Sequence, residues 1–148
     1  MGLLDNYTGI GMSPRPKWQH QRIINRALHR AYDELYTQDL VMLPEATVTD
    51  DWDDLAPDLV IFDPNNIPVT IIEITTHKEL RKILNKFDEL IDRFPNAECF
   101  TYDYEKEILY KFHPETDEWV PSVIEEIFSD YLSQPLVNYL RTEERLSI

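Results

Sequence analysis

The sequence is poor in the residues that mark disulfide-linked, membrane-spanning or glycine-rich proteins. It has 148 residues, with one cysteine and three glycines. One cysteine cannot form an internal disulfide, so we expect a reducing cytoplasm as the location. No apolar run approaches the roughly 18 residues that cross a bilayer, and we expect no contact with a membrane. The cysteine itself, Cys99, lies in an apolar stretch and is expected in the core.

Basic residues are also scarce, with 14 Lys and Arg against 28 Asp and Glu, for a net charge of −14. Spread evenly, that charge would oppose nucleic-acid binding. However, 6–31 holds five basic residues and no acid, and 77–86 holds four against one acid. This segregation predicts one basic side on an acidic molecule. Two solvated helix faces are an equally good interpretation of the pattern alone.

Apolar periodicity and turn residues predict the order of elements. The predicted elements are an irregular arm 1–16, a helix from Lys17 to Tyr36, an extended segment from Leu40 to Thr49, an acidic loop 50–54, strands Leu59–Phe62 and Val69–Thr75, a helix capped by Thr76 and Glu79 and ended by Pro95, strands Cys99–Tyr104 and Ile108–Phe112, and helices Ser122–Leu132 and Leu136–Glu144.

This order predicts a mixed α/β fold in one domain. The helix between the strands that carry Glu73 and Cys99 is a crossover connection, which makes those two strands parallel. The expected division is the arm 1–16, a core 17–113 and a helical extension 114–148 that packs on the same domain.

Glu73 is the most informative residue, because it lies inside the run Ile71-Ile72-Glu73-Ile74. Burying an uncompensated carboxylate costs several kcal/mol or more. Asp58 lies at the start of the preceding strand. A divalent cation shared by the two carboxylates, with the Ile74 carbonyl as a third oxygen, would compensate the charge. Asp58 alone fits a solvated strand-entry residue equally well.

Pro57-Asp58, fourteen intervening residues and Glu73-Ile74-Thr75 resemble the PD-(D/E)XK motif of the restriction-endonuclease-like superfamily. Within it, the chain is most similar to small stand-alone endonuclease-like proteins abundant in cyanobacteria and other bacteria. Their first helix opens with a histidine segment, as Trp18-Gln19-His20-Gln21 does here, and their strand motifs match 57–61 and 73–74. The similarity covers roughly 13–113 and implies a restriction-endonuclease-like core of helix, three strands, helix and two strands, with added C-terminal helices.

The resemblance implies an endonuclease that hydrolyses DNA phosphodiester bonds with Mg²⁺ or Mn²⁺ held by Asp58, Glu73 and Ile74. The sequence departs from the motif at Thr75, where a lysine is expected. In the resembled group the lysine lies on the following helix, and Lys86, thirteen residues after Glu73, matches that place. Lys86 is therefore the first candidate for catalysis, followed by Lys82 and Lys78.

Other residues are secondary candidates, each with a simpler role as a solvated polar side chain. Glu45 is a candidate for a further metal ligand, and His20 for a contact with phosphate or metal. His77 is a candidate to take the place of the lysine that Thr75 replaces. The candidates for binding backbone phosphates are Arg22, Arg26, Arg30, Lys78 and Lys82.

Two alternatives to an active nuclease stay open. The first is a catalytically inactive nuclease-fold module that binds nucleic acid or protein, which Thr75 favours. The second is an assembly protein, because the C-terminal helices could form a homodimer seam. The apolar residues of that seam are Ile124, Ile127, Phe128, Leu132, Leu136, Val137 and Leu140.

Overall fold

The protein is described by a computed structural model that covers residues 14–45 and 56–142. Its elements are α1 (Pro14–Tyr36), β1 (Val41–Pro44), β2 (Leu59–Phe62), β3 (Pro68–Thr75), α2 (Leu80–Arg93), β4 (Glu98–Asp103), β5 (Ile108–His113), β6 (Glu118–Ser122), a 3₁₀ turn (Ile124–Glu126) and α3 (Val137–Leu140). The mixed α/β class predicted from the sequence is confirmed.

The strands form one six-stranded sheet in the order β1-β2-β3-β4-β5-β6. Every neighbouring pair is antiparallel except β3 and β4, which are parallel and joined by α2. The predicted parallel pair is therefore confirmed. The eight-residue β3 lies inside the sheet and is buried along almost its whole length. A strand covered on both faces is apolar throughout, which explains its run of isoleucines.

Two apolar clusters cover the two faces of the sheet. Ile24 and Ala27 of α1 pack in one cluster with Ile72 and Ile74 of β3. Phe87 and Leu90 of α2 pack in the other with Ile71 and Val60. Successive side chains of a strand point to opposite faces. Glu73, which lies between Ile72 and Ile74, is therefore on the α2 face.

The C-terminal segment corrects the sequence-based expectation. β6 (Glu118–Ser122) is a strand that was not predicted, and the helix predicted over 122–132 is wrong, because only the turn Ile124–Glu126 is helical there. The second predicted helix is limited to Val137–Leu140 within the described residues. The reason is a competing set of hydrogen bonds. The Glu98 carboxyl group accepts the Asp130 N–H and the Ser129 hydroxyl, so the Asp130 N–H has its hydrogen bond without a helix.

Most of the apolar residues predicted for a dimer seam lie in the chain's own core. They are Ile127, Leu132, Leu136, Val137 and Leu140. Phe128 is the exposed member of the predicted set. The homodimer has no structural support and stays a prediction, as does the division at residue 113.

Several predicted segments lie wholly or partly outside the described residues, namely most of the arm 1–16, the end of the extended segment (46–49), the acidic loop 50–54 and the end of the last helix (143–144). The first helix begins at Pro14, three residues before the predicted start. Within the described ranges, each helix is too short or too polar to cross a bilayer. Cys99 is buried as predicted, and burial raises its pKa to about 12.

Candidate metal centre

The two acidic residues of the predicted motif meet at the ends of neighbouring strands. Leu59 of β2 is opposite Ile72 of β3, so Asp58 comes beside Glu73. The Asp58 N–H donates to the Glu73 carboxyl group, and the two carboxyl groups are hydrogen-bonded to each other. The Asp58 Oδ2 atom also accepts the Ile74 N–H at 2.8 Å. The structure therefore brings together the three residues predicted to hold a metal.

Burial and mutual contact shift the protonation of this pair. Burial, followed by the adjacent Asp58 charge, raises the pKa of Glu73 well above its usual value, and the Lys86 charge opposes that rise. Burial also opposes ionisation of Asp58, but hydrogen bonds from His20, Glu73 and the Ile74 N–H hold its pKa below the usual value. A divalent cation bound here would counter the rise in the pKa of Glu73, because it favours the charged form of both carboxyl groups.

The carbonyl of Ile74 shares the Asp58 side of β3. The next residue, Thr75, accepts the Tyr104 N–H on the β4 side at 3.0 Å. The N–H and C=O of one strand residue point to the same neighbour, and consecutive residues alternate. Because the Ile74 N–H points to Asp58, the Ile74 carbonyl points to that side as well.

His20 and Glu45, two of the secondary candidates, also lie beside Asp58. His20 Nε2 is 3.0 Å from Asp58 Oδ2. The Glu45 N–H donates to the Asp58 carbonyl at 2.9 Å, and Gln21 Nε2 donates to Glu45 Oε2 at 3.3 Å. One donor atom from each of His20, Glu45 and Asp58 lies within 4.8 Å of the other two. Glu45 has a φ of 45°, an uncommon left-handed conformation for a glutamate.

A cleft of about 430 Å³ opens beside this cluster, between α1, the end of β1, the end of β3 and α2. Lys86 and Lys82 both line it. They are four residues apart and so occupy one side of α2. Lys86 is close enough to Glu73 for its charge to oppose the rise in pKa. The Lys82 Nζ atom is 3.7 Å from Glu79 Oε1, so this lysine pairs with Glu79. Lys78 is exposed in the turn before α2.

His77, the last secondary candidate, binds a buried aspartate that sequence reasoning missed. Its Nδ1 lies 2.6 Å from Asp103 Oδ2, and Asp103 is fully buried. The other Asp103 oxygen accepts the N–H groups of Glu105 and Lys106, both at 3.1 Å. Asp103 ends β4 directly after an apolar run, and this was the available sequence signal.

The start of α2 differs slightly from the prediction. Thr76 Oγ1 accepts the Glu79 N–H at 3.3 Å, as one half of the predicted capping box. The helix nevertheless begins at Leu80. His77 therefore lies in a turn before α2 and not in the first helical turn.

The three arginines of α1 do not share one exposed face as predicted. Arg22 is exposed, and its guanidinium lies 5.0 Å from the centre of the Trp18 ring. Arg26 is partly buried. Arg30 is partly buried as well, and its Nη1 donates to the carbonyls of Asn138 and Arg141, both at 2.7 Å. Arg30 thus connects α1 to the backbone of α3, a distant contact that local spacing could not indicate.

Comparison with solved structures finds a likeness to a nuclease-like structure. No protein-family profile and no curated protein matches the chain. Among solved structures, the chain is similar to the crystal structure of "a putative nuclease belonging to DUF820" from Anabaena variabilis. The TM-score is 0.65 over 82% of this chain and 80% of that chain, with 13% sequence identity. At this identity the likeness shows the fold, and the chain has the mixed α/β fold of that nuclease-like structure.

Proposed function

We propose that the protein is a cytoplasmic, metal-dependent endonuclease of the PD-(D/E)XK type that hydrolyses DNA phosphodiester bonds. The observation that carries the proposal is the position of Asp58 beside the buried Glu73 at the ends of neighbouring strands, with the Lys86 charge acting on Glu73. Buried titratable groups that perturb one another beside a cleft are typical of catalytic sites. The likeness to a structure described as a nuclease agrees with this assignment.

The donor set fits a hard divalent cation, because Asp58 and Glu73 are carboxylates on neighbouring strands and the Ile74 carbonyl points to the same side of β3. When bound, Mg²⁺ or Mn²⁺ would lower the pKa of a water molecule and neutralise charge on the scissile phosphate. Lys86 would orient the attacking water and stabilise the negative charge that develops on the phosphate. Lys86 thus supplies the ammonium group that Thr75 lacks.

The cations around the cleft would hold the DNA backbone. Lys82 lines the cleft and Lys78 precedes α2, whereas the exposed Arg22 of α1 lines a separate pocket with Trp18 and Gln19. Contacts between such side chains and phosphates fix the position of the duplex without reading its sequence. Arg30 is left out of this set, because two backbone carbonyls already occupy its guanidinium.

The test is the replacement Glu73→Gln. Glutamine keeps the size of the side chain and a hydrogen bond to the Asp58 N–H, but it supplies no carboxylate. Cleavage of plasmid and linear DNA with Mg²⁺ or Mn²⁺ should be abolished, while circular dichroism and thermal unfolding show an intact fold. Glu89→Gln, an exposed glutamate of α2, is the matched control and should cut normally. Unchanged cleavage by Glu73→Gln would defeat the assignment.

A second candidate function is a nuclease-fold module that binds DNA or protein without cutting. Thr75 favours it, because this buried residue occupies the lysine position of the motif and donates its hydroxyl to the Thr76 carbonyl. Calorimetry separates the two candidates. Heat of Mg²⁺ or Mn²⁺ binding that disappears in Asp58→Ala supports the metal site. A wild-type protein that binds DNA but shows no metal heat and no cleavage supports the module.

A further inference from the structure

We propose that His20 and Glu45 complete the metal centre and make it selective for a first-row transition cation, such as Mn²⁺, over Mg²⁺. The inference rests on the metal site of the proposed function. It adds a nitrogen ligand from α1 and a carboxylate from the end of β1 to the oxygen ligands of Asp58, Glu73 and Ile74.

The spacing of the donor atoms fits one coordination shell. In an octahedral complex with bonds of about 2.1 Å, adjacent ligands are about 3 Å apart and opposite ligands about 4.2 Å apart. His20 Nε2 and Asp58 Oδ2 are 3.0 Å apart. The Glu45 carboxylate lies within 4.8 Å of both. One ion could therefore contact all three residues after small side-chain adjustments.

Each donor is fixed in place by its own element. The buried residues Ile23, Ile24 and Ala27 hold the N-terminal half of α1 against the sheet, and this sets the position of His20. Hydrogen bonds from the Glu45 N–H to the Asp58 carbonyl and from Gln21 to the Glu45 carboxylate orient Glu45. The Ile74 N–H holds the Asp58 carboxylate. Ligands held this way require little reorganisation when a cation binds.

The mixed donor set decides which cations are favoured. Mg²⁺ takes oxygen ligands and loses its bound water reluctantly, so an imidazole ligand adds little to its binding affinity. Transition cations accept imidazole readily, and sites with nitrogen ligands bind them in the order from Mn²⁺ up to Cu²⁺. Mn²⁺ binds most weakly within that series and also suits carboxylates. It is therefore the most demanding probe of the His20 contribution.

The first experiment compares Mn²⁺ and Mg²⁺ binding by titration calorimetry in three proteins. The wild type should bind Mn²⁺ about tenfold or more tightly than Mg²⁺. His20→Gln places an amide oxygen at a similar reach, so it should lower Mn²⁺ affinity about tenfold and leave Mg²⁺ affinity nearly unchanged. His29→Gln, an exposed histidine of the same helix, should behave as the wild type.

The second experiment observes the ligand directly. Electron spin-echo spectra of the Mn²⁺-loaded protein should show modulation from a bound nitrogen in the wild type and in His29→Gln, and none in His20→Gln. The inference fails if wild-type protein binds no Mn²⁺, if its spectrum lacks the nitrogen modulation, or if His20→Gln keeps the full preference for Mn²⁺. The wild-type spectrum decides the question even if the variant does not fold.

The outcomes also separate this inference from the proposed function. A nitrogen signal in a protein that cuts no DNA keeps the transition-metal site and removes the nuclease activity. Cleavage that Mg²⁺ and Mn²⁺ support equally, without a nitrogen signal, keeps the nuclease and removes the role of His20.

Discussion

At the residue scale, the two lysines of the cleft should have separable effects. Lys86 acts electrostatically on Glu73, whereas the Lys82 side chain is 79% exposed and paired with Glu79. Losing one group that stabilises transition-state charge costs about 10²–10³ in kcat. We therefore expect Lys86→Met to lower kcat by about that factor with little change in KM. Lys82→Met should mainly raise KM, because it removes a phosphate contact.

Steady-state cleavage of a fluorescent DNA duplex gives kcat and KM separately for both variants. Lys106→Met, in the turn between β4 and β5 and not among the residues that line the cleft, controls for the loss of one positive charge. A larger fall in kcat for Lys82→Met than for Lys86→Met would assign catalysis to Lys82 instead.

Glu98 makes a second residue-scale prediction, which concerns stability and pH. Burial raises its pKa, although hydrogen bonds from Ser129, Asp130 and Thr70 oppose the rise. The folded chain therefore holds this proton more tightly than the unfolded chain. Protonated Glu98 therefore adds to the free energy of unfolding. This contribution is fully present below the ordinary pKa of a glutamate, and it is lost as pH rises through the pKa that Glu98 has in the folded protein. Glu98→Gln should remove this contribution.

Urea unfolding of the wild type and Glu98→Gln between about pH 4 and 8 measures the effect as a difference between the two proteins. Glu73 also has a raised pKa, but it is common to both proteins and cancels. Parallel curves of unfolding free energy against pH would contradict the role of Glu98.

At the element scale, α1 should contribute stability and DNA binding through different arginines. Arg30 donates two short hydrogen bonds to the backbone of the C-terminal segment. Hydrogen bonds that involve a charged group contribute about 1.5–3 kcal/mol. Arg30→Ala should therefore lower the free energy of unfolding by about that amount and leave DNA affinity nearly unchanged.

Arg22 is the matched residue two turns earlier, and it is exposed. Arg22→Ala should change the free energy of unfolding by no more than about 0.5 kcal/mol. It should weaken DNA binding in a fluorescence anisotropy titration. If Arg30→Ala weakens DNA binding as strongly as Arg22→Ala, then Arg30 contacts phosphate despite its backbone partners.

The elements also show which parts of the structure local pattern could predict. The unit β2-β3-α2-β4 follows from apolar runs, a hairpin turn and one helical stripe, and the structure places it almost residue for residue. The segment after His113 does not follow in this way. Its apolar residues Ile127 and Leu132 are buried although their backbone is irregular, and the Glu98 carboxyl group at the start of β4 accepts a hydrogen bond from this segment. A partner so distant in sequence leaves no periodic signal.

In the candidate site, too, some residues could be predicted from local sequence and others depend on tertiary contacts. Asp58 and Glu73 could be predicted because each carries a local anomaly, a carboxylate at or within a buried strand. The contact of His20 with Asp58 depends on how α1 docks at the end of the sheet, and the spacing of residues within α1 cannot predict this docking. The partnership of His77 with Asp103 is tertiary in the same sense, because it joins β4 to the turn before α2.

At the scale of the whole molecule, a net charge of −14 is combined with a cleft bordered by lysines. The overall charge repels DNA, and the local cations attract it. Affinity for B-DNA falls with salt at a logarithmic slope of about −0.9 for each phosphate neutralised. Arg22, Lys78 and Lys82 as phosphate contacts predict a slope of about −3.

Anisotropy titrations without divalent cations, between about 50 and 200 mM salt, measure this slope while preventing metal-dependent cleavage. Lys82→Met should reduce its magnitude by about 0.9 because it removes one contact, and Lys106→Met should leave it unchanged. A wild-type slope steeper than about −6 would require twice as many phosphate contacts as these three residues supply. In that case the DNA would have to follow a different basic surface, and the cleft between α1 and α2 would no longer be its path.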